Sequence, residues 1–456
     1  MLKASVTWAR GVLPCTLAVA ATACVAAGDA GDDDVDAVEA AVVGDQCPAP
    51  NGGISWNDRY RFMYGVNYAW NQFGGDFGGI TRWNVRGVSA SQADHEAKLA
   101  DMRAHGANVI RWWMFPEFRG EGVRFDGSET PLGLGGTTVA DLQKALELAE
   151  RQDVYLMLCL FSFDNFRPSH DTSGIHIPGL APIVRSTSKL DRLITNVVRP
   201  LARAAEASPY RHRLVAWDVI NEPEWAISGR NPYGDQSYTP MSELDAVSHA
   251  EMERFVSRTT DALKAESSAL VTVGGAAVKW GKAWSRVDID FYQFHIYDWV
   301  NEWWPYYLSP EELGVGDKPV VMGEFPIASL SGVPYQDLVE SFYANGYAGA
   351  MGWDYGTATG AQLDQMRDFA SRHACETDYS AGYGELVGSS GGTTTGGGTT
   401  SGGGTTTGGG TTSGGGTCTD TPPDSRYTCA QQAGWGKCSE TWMRGFCDRS
   451  CGRCGG

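Results

Sequence analysis

Leu214-Val-Ala-Trp-Asp-Val-Ile-Asn221-Glu222-Pro223 is an apolar run that ends in a carboxylate and a proline. Such a run forms a buried strand, and the proline stops it. Pro319-Val-Val-Met-Gly323-Glu324-Phe325-Pro326 repeats the pattern further along the chain. Outward from these two stretches, strand-like and helix-like runs alternate eight times. Strands are expected at Phe62–Asn67, Ala107–Trp112, Val154–Phe161, Leu214–Asn221, Leu270–Gly274, Phe291–Tyr297, Pro319–Gly323 and Ala350–Trp353. Amphipathic helices are expected between them, at Ser91–His105, Val139–Gln152, Leu190–Ala207, Ser242–Ser267, Pro334–Asn345 and Ala361–His373. The stretch between the fifth and sixth strands is short, so a degenerate helix is expected there. Alternation of this kind implies a parallel sheet, and eight units imply a closed (β/α)8 TIM barrel of the α/β class. In such a barrel every strand C-terminus opens on one face, where active sites are built. Glu222 closes the fourth strand and Glu324 the seventh. Two carboxylates on that face are the minimum for cleaving a glycosidic bond: one donates a proton, the other attacks or activates water.

Trp217-Asp-Val-Ile-Asn-Glu-Pro223 and Val321-Met-Gly-Glu-Phe325, with His295-Ile-Tyr297 between them and Gly352-Trp353 after, resemble the motifs of clan A glycoside hydrolases. The cellulase and mannanase type of family 5 is the nearest match. The resemblance covers roughly residues 59–373. It implies a retaining endo-β-glycosidase acting on a neutral β-1,4-linked mannan or glucan. Glu222 would be the acid/base and Glu324 the nucleophile. It also implies that Arg111, closing Asn108-Val-Ile-Arg111, lies beside the nucleophile, where a carboxylate would compensate its burial. Asn221 would bond the sugar 2-hydroxyl, Tyr297 would place its hydroxyl on the nucleophile with His295 on the same side of the strand, and Trp353 would be the floor for the sugar. Trp112 and Trp225 join these as substrate-binding candidates. Trp113, Trp299, Trp303 and Trp304 also sit near strand ends, where a sugar cleft needs flat apolar surfaces. One departure stands out. Many family 5 cellulases carry a histidine after strand three, whereas this chain reads Phe163-Asp164-Asn165 and has no histidine before His170. Asp164 or Asn165 would contact substrate instead, which leaves mannan against glucan open. A barrel that binds glycans without cleaving them, or carries an adhesive tail, is the alternative.

The 456 residues exceed one average domain, and the net charge of −18 argues against nucleic acid as a partner. No cofactor and no metal is expected, and a monomer is. Lys3 and Arg10 precede an alanine-rich apolar segment, so residues 1–27 read as a signal peptide. Two processing routes stay open: lipidation at Cys24 of Ala21-Thr-Ala-Cys24, and ordinary cleavage after Val25-Ala-Ala27. Either implies export, as a surface lipoprotein or a secreted protein. Residues 28–45 form an acidic spacer, 46–387 the hydrolase domain, 388–417 a Gly/Thr linker and 418–456 a Cys-rich module. The linker has nothing to bury and behaves as flexible coil spanning about 30 Å.

Of the 11 cysteines, six crowd into the tail: Cys418, Cys429, Cys438, Cys447, Cys451 and Cys454. In an exported chain they read as three disulfides, with fifteen pairings open on spacing alone. The tail resembles the ShK toxin-like fold, which implies pairing of first with sixth, second with fourth and third with fifth. Trp435 and Trp442 are either a polysaccharide-binding surface or the small module's own core. Cys47 and Cys375 flank the barrel, whose first and last strands are neighbours, so a disulfide clasp is expected. Cys159 is expected as a buried free thiol.

Overall fold

The computed structural model describes residues 47–298 and 306–380 and, in the tail, Cys429, Cys438 and Cys451. The chain divides into residues 1–44, which lie wholly outside the described residues, and residues 45–456. The eight barrel strands are β1 (Met63–Asn67), β2 (Val109–Trp113), β3 (Tyr155–Ser162), β4 (Leu214–Asn221), β5 (Leu270–Gly275), β6 (Tyr292–His295), β7 (Val320–Pro326) and β8 (Gly349–Trp353). They close in sequence order, β8 pairing with β1, and every pair is parallel. The (β/α)8 barrel expected from the alternation is therefore present, with each strand within a residue or two of its expected start.

Strand alternation decides what each side chain meets. Val109, Arg111 and Trp113 of β2 point one way and Ile110 and Trp112 the other. The inward set of the lower barrel packs as one apolar cluster: Met63, Val109, Tyr155, Met157, Val215, Phe291, Val321 and Met351. Above it the interior turns polar. Outward side chains bury against the surrounding helices in the larger core. The helices are Gln92–Ala104, Thr138–Arg151, Thr187–Leu193 running through Ile194–Val198 into Arg199–Glu206, His249–Glu266, Tyr335–Ala344 and Gly360–Arg372. The fourth helix starts at His249 and not at Ser242. Ser248 and Glu251 form a reciprocal capping box there, which fixes the start. Between β5 and β6 only the short turn Val278–Trp280 is helical among the described residues, the degenerate element expected.

The base of the barrel is closed by the hairpin Ile54–Trp56 with Arg59–Arg61 and by Tyr379, whose hydroxyl donates to the Ile54 carbonyl. Cys47 and Cys375 are joined by a disulfide, Cα atoms 5.3 Å apart. Cys159 is a buried free thiol. In the tail Cys438 is joined to Cys451, third cysteine to fifth, and Cys429 is also in a disulfide. Cys418, Cys447, Cys454, Trp435, Trp442 and Cys24 lie outside the described residues.

Candidate active site

The polar upper layer is built around Arg111. Its side chain is fully buried. Nε and Nη2 donate to Asp218 Oδ2 at 2.9 and 2.8 Å, Nη1 to Asn67 Oδ1 at 2.9 Å and to Glu324 Oε1 at 2.7 Å, and Nη2 also to Asn221 Oδ1 at 2.8 Å. A guanidinium can hold that many acceptors because its donors form a rigid planar fork. Two glycines make room. A Cβ on Gly274 would stand 2.9 Å from Arg111 Nη2, and one on Gly323 would strike the Gln293 side chain. Gly323 has a second effect. His295 of β6 pairs with Glu324, whereas Phe294 pairs with Met322, so β7 carries an extra residue there. This bulge turns Glu324 into the barrel one position later than strict alternation allows.

Glu222 follows β4 directly. Its backbone is left-handed, φ 48° and ψ 50°, a conformation that costs a non-glycine residue about 1–2 kcal/mol. Pro223 then starts a short turn through Ala226. The strain turns the Glu222 carboxyl toward the site, where Oε2 accepts from Trp225 Nε1 at 2.9 Å and Oε1 lies 2.8 Å from His295 Nδ1. The same Nδ1 is 3.5 Å from Glu324 Oε1. Tyr297 donates its hydroxyl to Glu324 Oε2 at 2.8 Å. One atom each of Glu222, His295 and Glu324 lie within 4.8 Å of one another.

Burial pushes both carboxyls above the ordinary range. At Glu222 it dominates, opposed by the Trp225 hydrogen bond and the field of Arg111, and the group is raised to about 7. Glu324 is also raised by burial, but it has His295, a direct guanidinium bond and the Tyr297 hydroxyl to favour its anion. Two close carboxyls do not both ionise freely, so the proton the pair holds resides on Glu222. Burial lowers His295 to about 4, leaving it neutral near pH 7. Its Nδ1 faces two carboxyls while its buried Nε2 has no partner among the described residues. The proton therefore sits on Nδ1 as a donor.

A cleft of about 500 Å³ opens over this layer, lined by Trp70, Trp113, Phe163, Asp164, Asn221, Glu222, Trp225, Met241, Tyr297, Glu324 and Trp353. Trp353, Trp113 and Trp70 pack against one another, with ring centroids 5.3 to 6.2 Å apart. The bond from Trp353 to Asp354 is cis. Trp112 is not part of the cleft. It lies on the outward face of β2, fully buried against Tyr68, Phe77 and His95, and donates Nε1 to Asp76. Since Arg111 points inward, alternation sends Trp112 outward and brings Trp113 to the cleft. Asp164 lines the cleft, whereas Asn165 is buried and caps the turn after β3 by accepting from the Ser162 amide. Trp299, Trp303 and Trp304 lie outside the described residues.

Several residues of the site did not stand out in the sequence. Asp218 sits mid-strand in Trp217-Asp218-Val219 and is fully buried between Arg111 and Gln293 Nε2, the latter 2.9 Å away. A charge inside an apolar strand was the available signal, because burial demands a partner. Asn67, at the end of β1, and Trp70, just after it, carried no comparable mark. Glu224 is a further buried carboxyl, accepting from Trp284 Nε1 and the Ala276 amide.

No family model matches the chain. A mannan endo-1,4-beta-mannosidase of Mytilus edulis is 28% identical over 332 residues, which span 66% of this chain and 85% of that protein. Another, of Cryptopygus antarcticus, is 27% identical over 367 residues, 72% of this chain and 89% of the relative. Among solved structures, the beta-mannanase of blue mussel Mytilus edulis superposes with a TM-score of 0.59 at 24% identity, covering 73% of this chain and 98% of that one. The beta-1,4-mannanase of the sea hare Aplysia kurodai gives 0.60 at 21% identity, covering 73% and 99%. These neighbours share the barrel. With such relatives and that barrel, the chain is a glycoside hydrolase.

Proposed function

We propose that the chain is a retaining endo-β-mannanase that cleaves a neutral β-1,4-linked mannan by double displacement. One observation carries this reading: Glu222 and Glu324 bring oxygens within 4.8 Å of each other at the C-terminal ends of β4 and β7. Retaining enzymes keep their carboxyls about 5–5.5 Å apart, whereas inverting enzymes need about 6.5–9.5 Å to admit a water. In the first step a Glu324 oxygen bonds to the anomeric carbon as the glycosidic C–O bond breaks, and Glu222 gives its proton to the leaving oxygen. In the second step Glu222 takes a proton from water. The water oxygen bonds to the anomeric carbon, and Glu324 leaves as a carboxylate. Arg111 and Tyr297 hold the nucleophile ionised and aimed. Asn221 gives its oxygen to Arg111, which leaves its amide N–H groups for a substrate hydroxyl.

Mannan is favoured because the curated relatives are named mannan endo-1,4-beta-mannosidases. A neutral chain is favoured because the described cleft lining contains no Lys or Arg, only carboxylates, an amide, Met and aromatic residues. Export by lipidation at Cys24 or by cleavage after Ala27, a monomeric state and an ShK-like tail belong to the same proposal. The test is reducing-end release on mannan, glucan, xylan and galactan, with the product anomer followed by NMR in the first minutes. Mannan should be cut fastest, and the first product should be the β-anomer. An α-anomer, or no turnover on mannan, overturns the reading.

A further inference from the structure

The two oxygens of Glu222 have different kinds of partner. Oε1 faces His295 Nδ1, which lies near Glu324 as well and so favours the anion of both carboxyls. Oε2 accepts from Trp225 Nε1, a bond that serves Glu222 alone. An indole N–H can only donate, so it always favours the ionised carboxyl. The turn that makes the bond is held by its backbone and by a neighbouring ring. Glu222 is left-handed, and the Trp225 amide closes the turn on the Glu222 carbonyl at 3.2 Å. The Trp225 carbonyl accepts from Met241 N at 3.0 Å. Trp280 meets the ring edge-on at a centroid distance of 5.4 Å. The backbone strain at Glu222 is thus coupled to one indole–carboxylate bond.

We propose that Trp225, besides walling the cleft, sets the proton affinity of Glu222, holding it low enough for the carboxyl to surrender its proton in the first step and high enough to regain one in the second. The proposal rests on Glu222 being the acid/base. Other groups that face Glu222 are His295, Glu324, Tyr297, Arg111, Asp164 and Glu224. None of them substitutes for the indole. Arg111 is committed to Asp218, Asn67, Asn221 and Glu324. Tyr297 is committed to Glu324, and the Nδ1–H of His295 faces Glu222 and Glu324 together, so it does not favour one over the other as the indole does. Asp164 and Glu224 are carboxyls, and as anions they would oppose ionisation.

The experiment is the pH dependence of kcat/KM for Trp225→Phe on a mannan oligosaccharide, beside wild type. The alkaline limb requires protonated Glu222 and should move up by about one pH unit, the size expected for loss of one hydrogen bond to an ion. A second readout is reactivation of enzyme trapped as its 2-deoxy-2-fluoroglycosyl intermediate. This step needs ionised Glu222, and its acid limb should move up by the same amount. A ring that only stacks on sugar would raise KM and leave both limbs in place, which overturns the proposal. If Trp225→Phe fails to fold, 3-benzothienylalanine at position 225 keeps the ring shape, lacks the N–H and should give the same shift. Glu222→Ala separates the two levels. If the alkaline limb survives in that variant, Glu222 is not the acid and the underlying reading fails. If the limb disappears in Glu222→Ala yet ignores Trp225, only the present proposal fails.

Discussion

Arg111→Met removes a guanidinium of similar reach from the centre of the site and keeps an apolar stem. Its partners Asp218 and Glu324 are both buried, the former fully. Breaking a buried ion pair from one side leaves an uncompensated charge and costs about 3–5 kcal/mol. For a domain of this size that corresponds to a fall in Tm of roughly 4–7 °C. The loss must depend on pH. Burial already raises Glu324 with Arg111 beside it, and losing the guanidinium raises it further, so the cost at Glu324 is absent below its unfolded value and grows as pH rises through the folded one. The Tm deficit should therefore be small near pH 4 and full above pH 7. Activity has its own magnitude. A neighbouring cation holds a carboxyl pKa down by about 1–3 units, so the acid limb of kcat/KM should rise by that much and the rate at pH values below the wild-type limb should fall about 10- to 1,000-fold. Glu222, raised to about 7, limits the profile on the other side. The two limbs should converge and the plateau disappear. Arg111→Lys should fall between, because one ammonium cannot bond Asp218 and Glu324 as a fork does. The assays are thermal unfolding from pH 4 to 8 and kcat/KM over the same range. A deficit that is flat in pH, or an unmoved acid limb, would refute the electrostatic account.

Glu324→Gln should fold and bind glycan but not turn over, and azide should rescue the smaller Glu324→Ala on an activated aryl glycoside; a near wild-type Glu324→Gln rate on polysaccharide contradicts the nucleophile assignment. Glu222→Ala should keep a pre-steady-state burst on activated substrates, since good leaving groups need little acid help; equal loss on activated and natural substrates would mark Glu222 as structural. Glu224 is raised by burial to about 7, so its ionisation should erode stability by up to about 3 kcal/mol as pH climbs from about 4.5 through 7. Relative to wild type, Glu224→Gln should gain Tm across that window, and parallel curves would count against it. Replacing Cys47 and Cys375 by Ser should cost about 2–5 kcal/mol, read by denaturant unfolding. Truncation near Gly388 should spare soluble oligosaccharides and slow attack on insoluble mannan if the tail tethers the barrel to it; equal rates on the solid would leave the tail another role.

The fold was legible because most barrel strands are short apolar runs stopped by a proline, a glycine or a charge. The two glutamates were legible because each ends such a run. Trp112 was misread for lack of one step: once Arg111 is taken as inward, period-two alternation puts Trp112 in the helix layer. Asp218 was visible in the quoted strand, but its partner is 107 positions away, and nothing local joins it to Arg111. Asn67 enters the site because β1 pairs with β2 beside Arg111, and Trp70 because it packs on Trp113 and Trp353, contacts across strands that no local stretch of sequence shows. The late start of the helix at His249 was written in Ser248 and Glu251, a capping pattern that outranks the broader amphipathic run.

The site divides two similar carboxyls by the kind of donor each receives. Burial works on both in the same direction, so burial alone would leave them competing for one proton. Arg111 breaks the tie. It reaches Glu324 directly and touches Glu222 only through space. The neutral indole of Trp225 then returns part of the lost acidity to Glu222 without ionising it outright. Exchanging the two kinds of donor would exchange the two roles. A guanidinium bonded to Glu222 would keep it a permanent anion with no proton to give. An indole bonded to Glu324 would leave the nucleophile protonated over the pH range where the acid works. On the proposed assignment, the order of roles along the chain, acid/base after β4 and nucleophile on β7, follows from which strand end the arginine of β2 reaches.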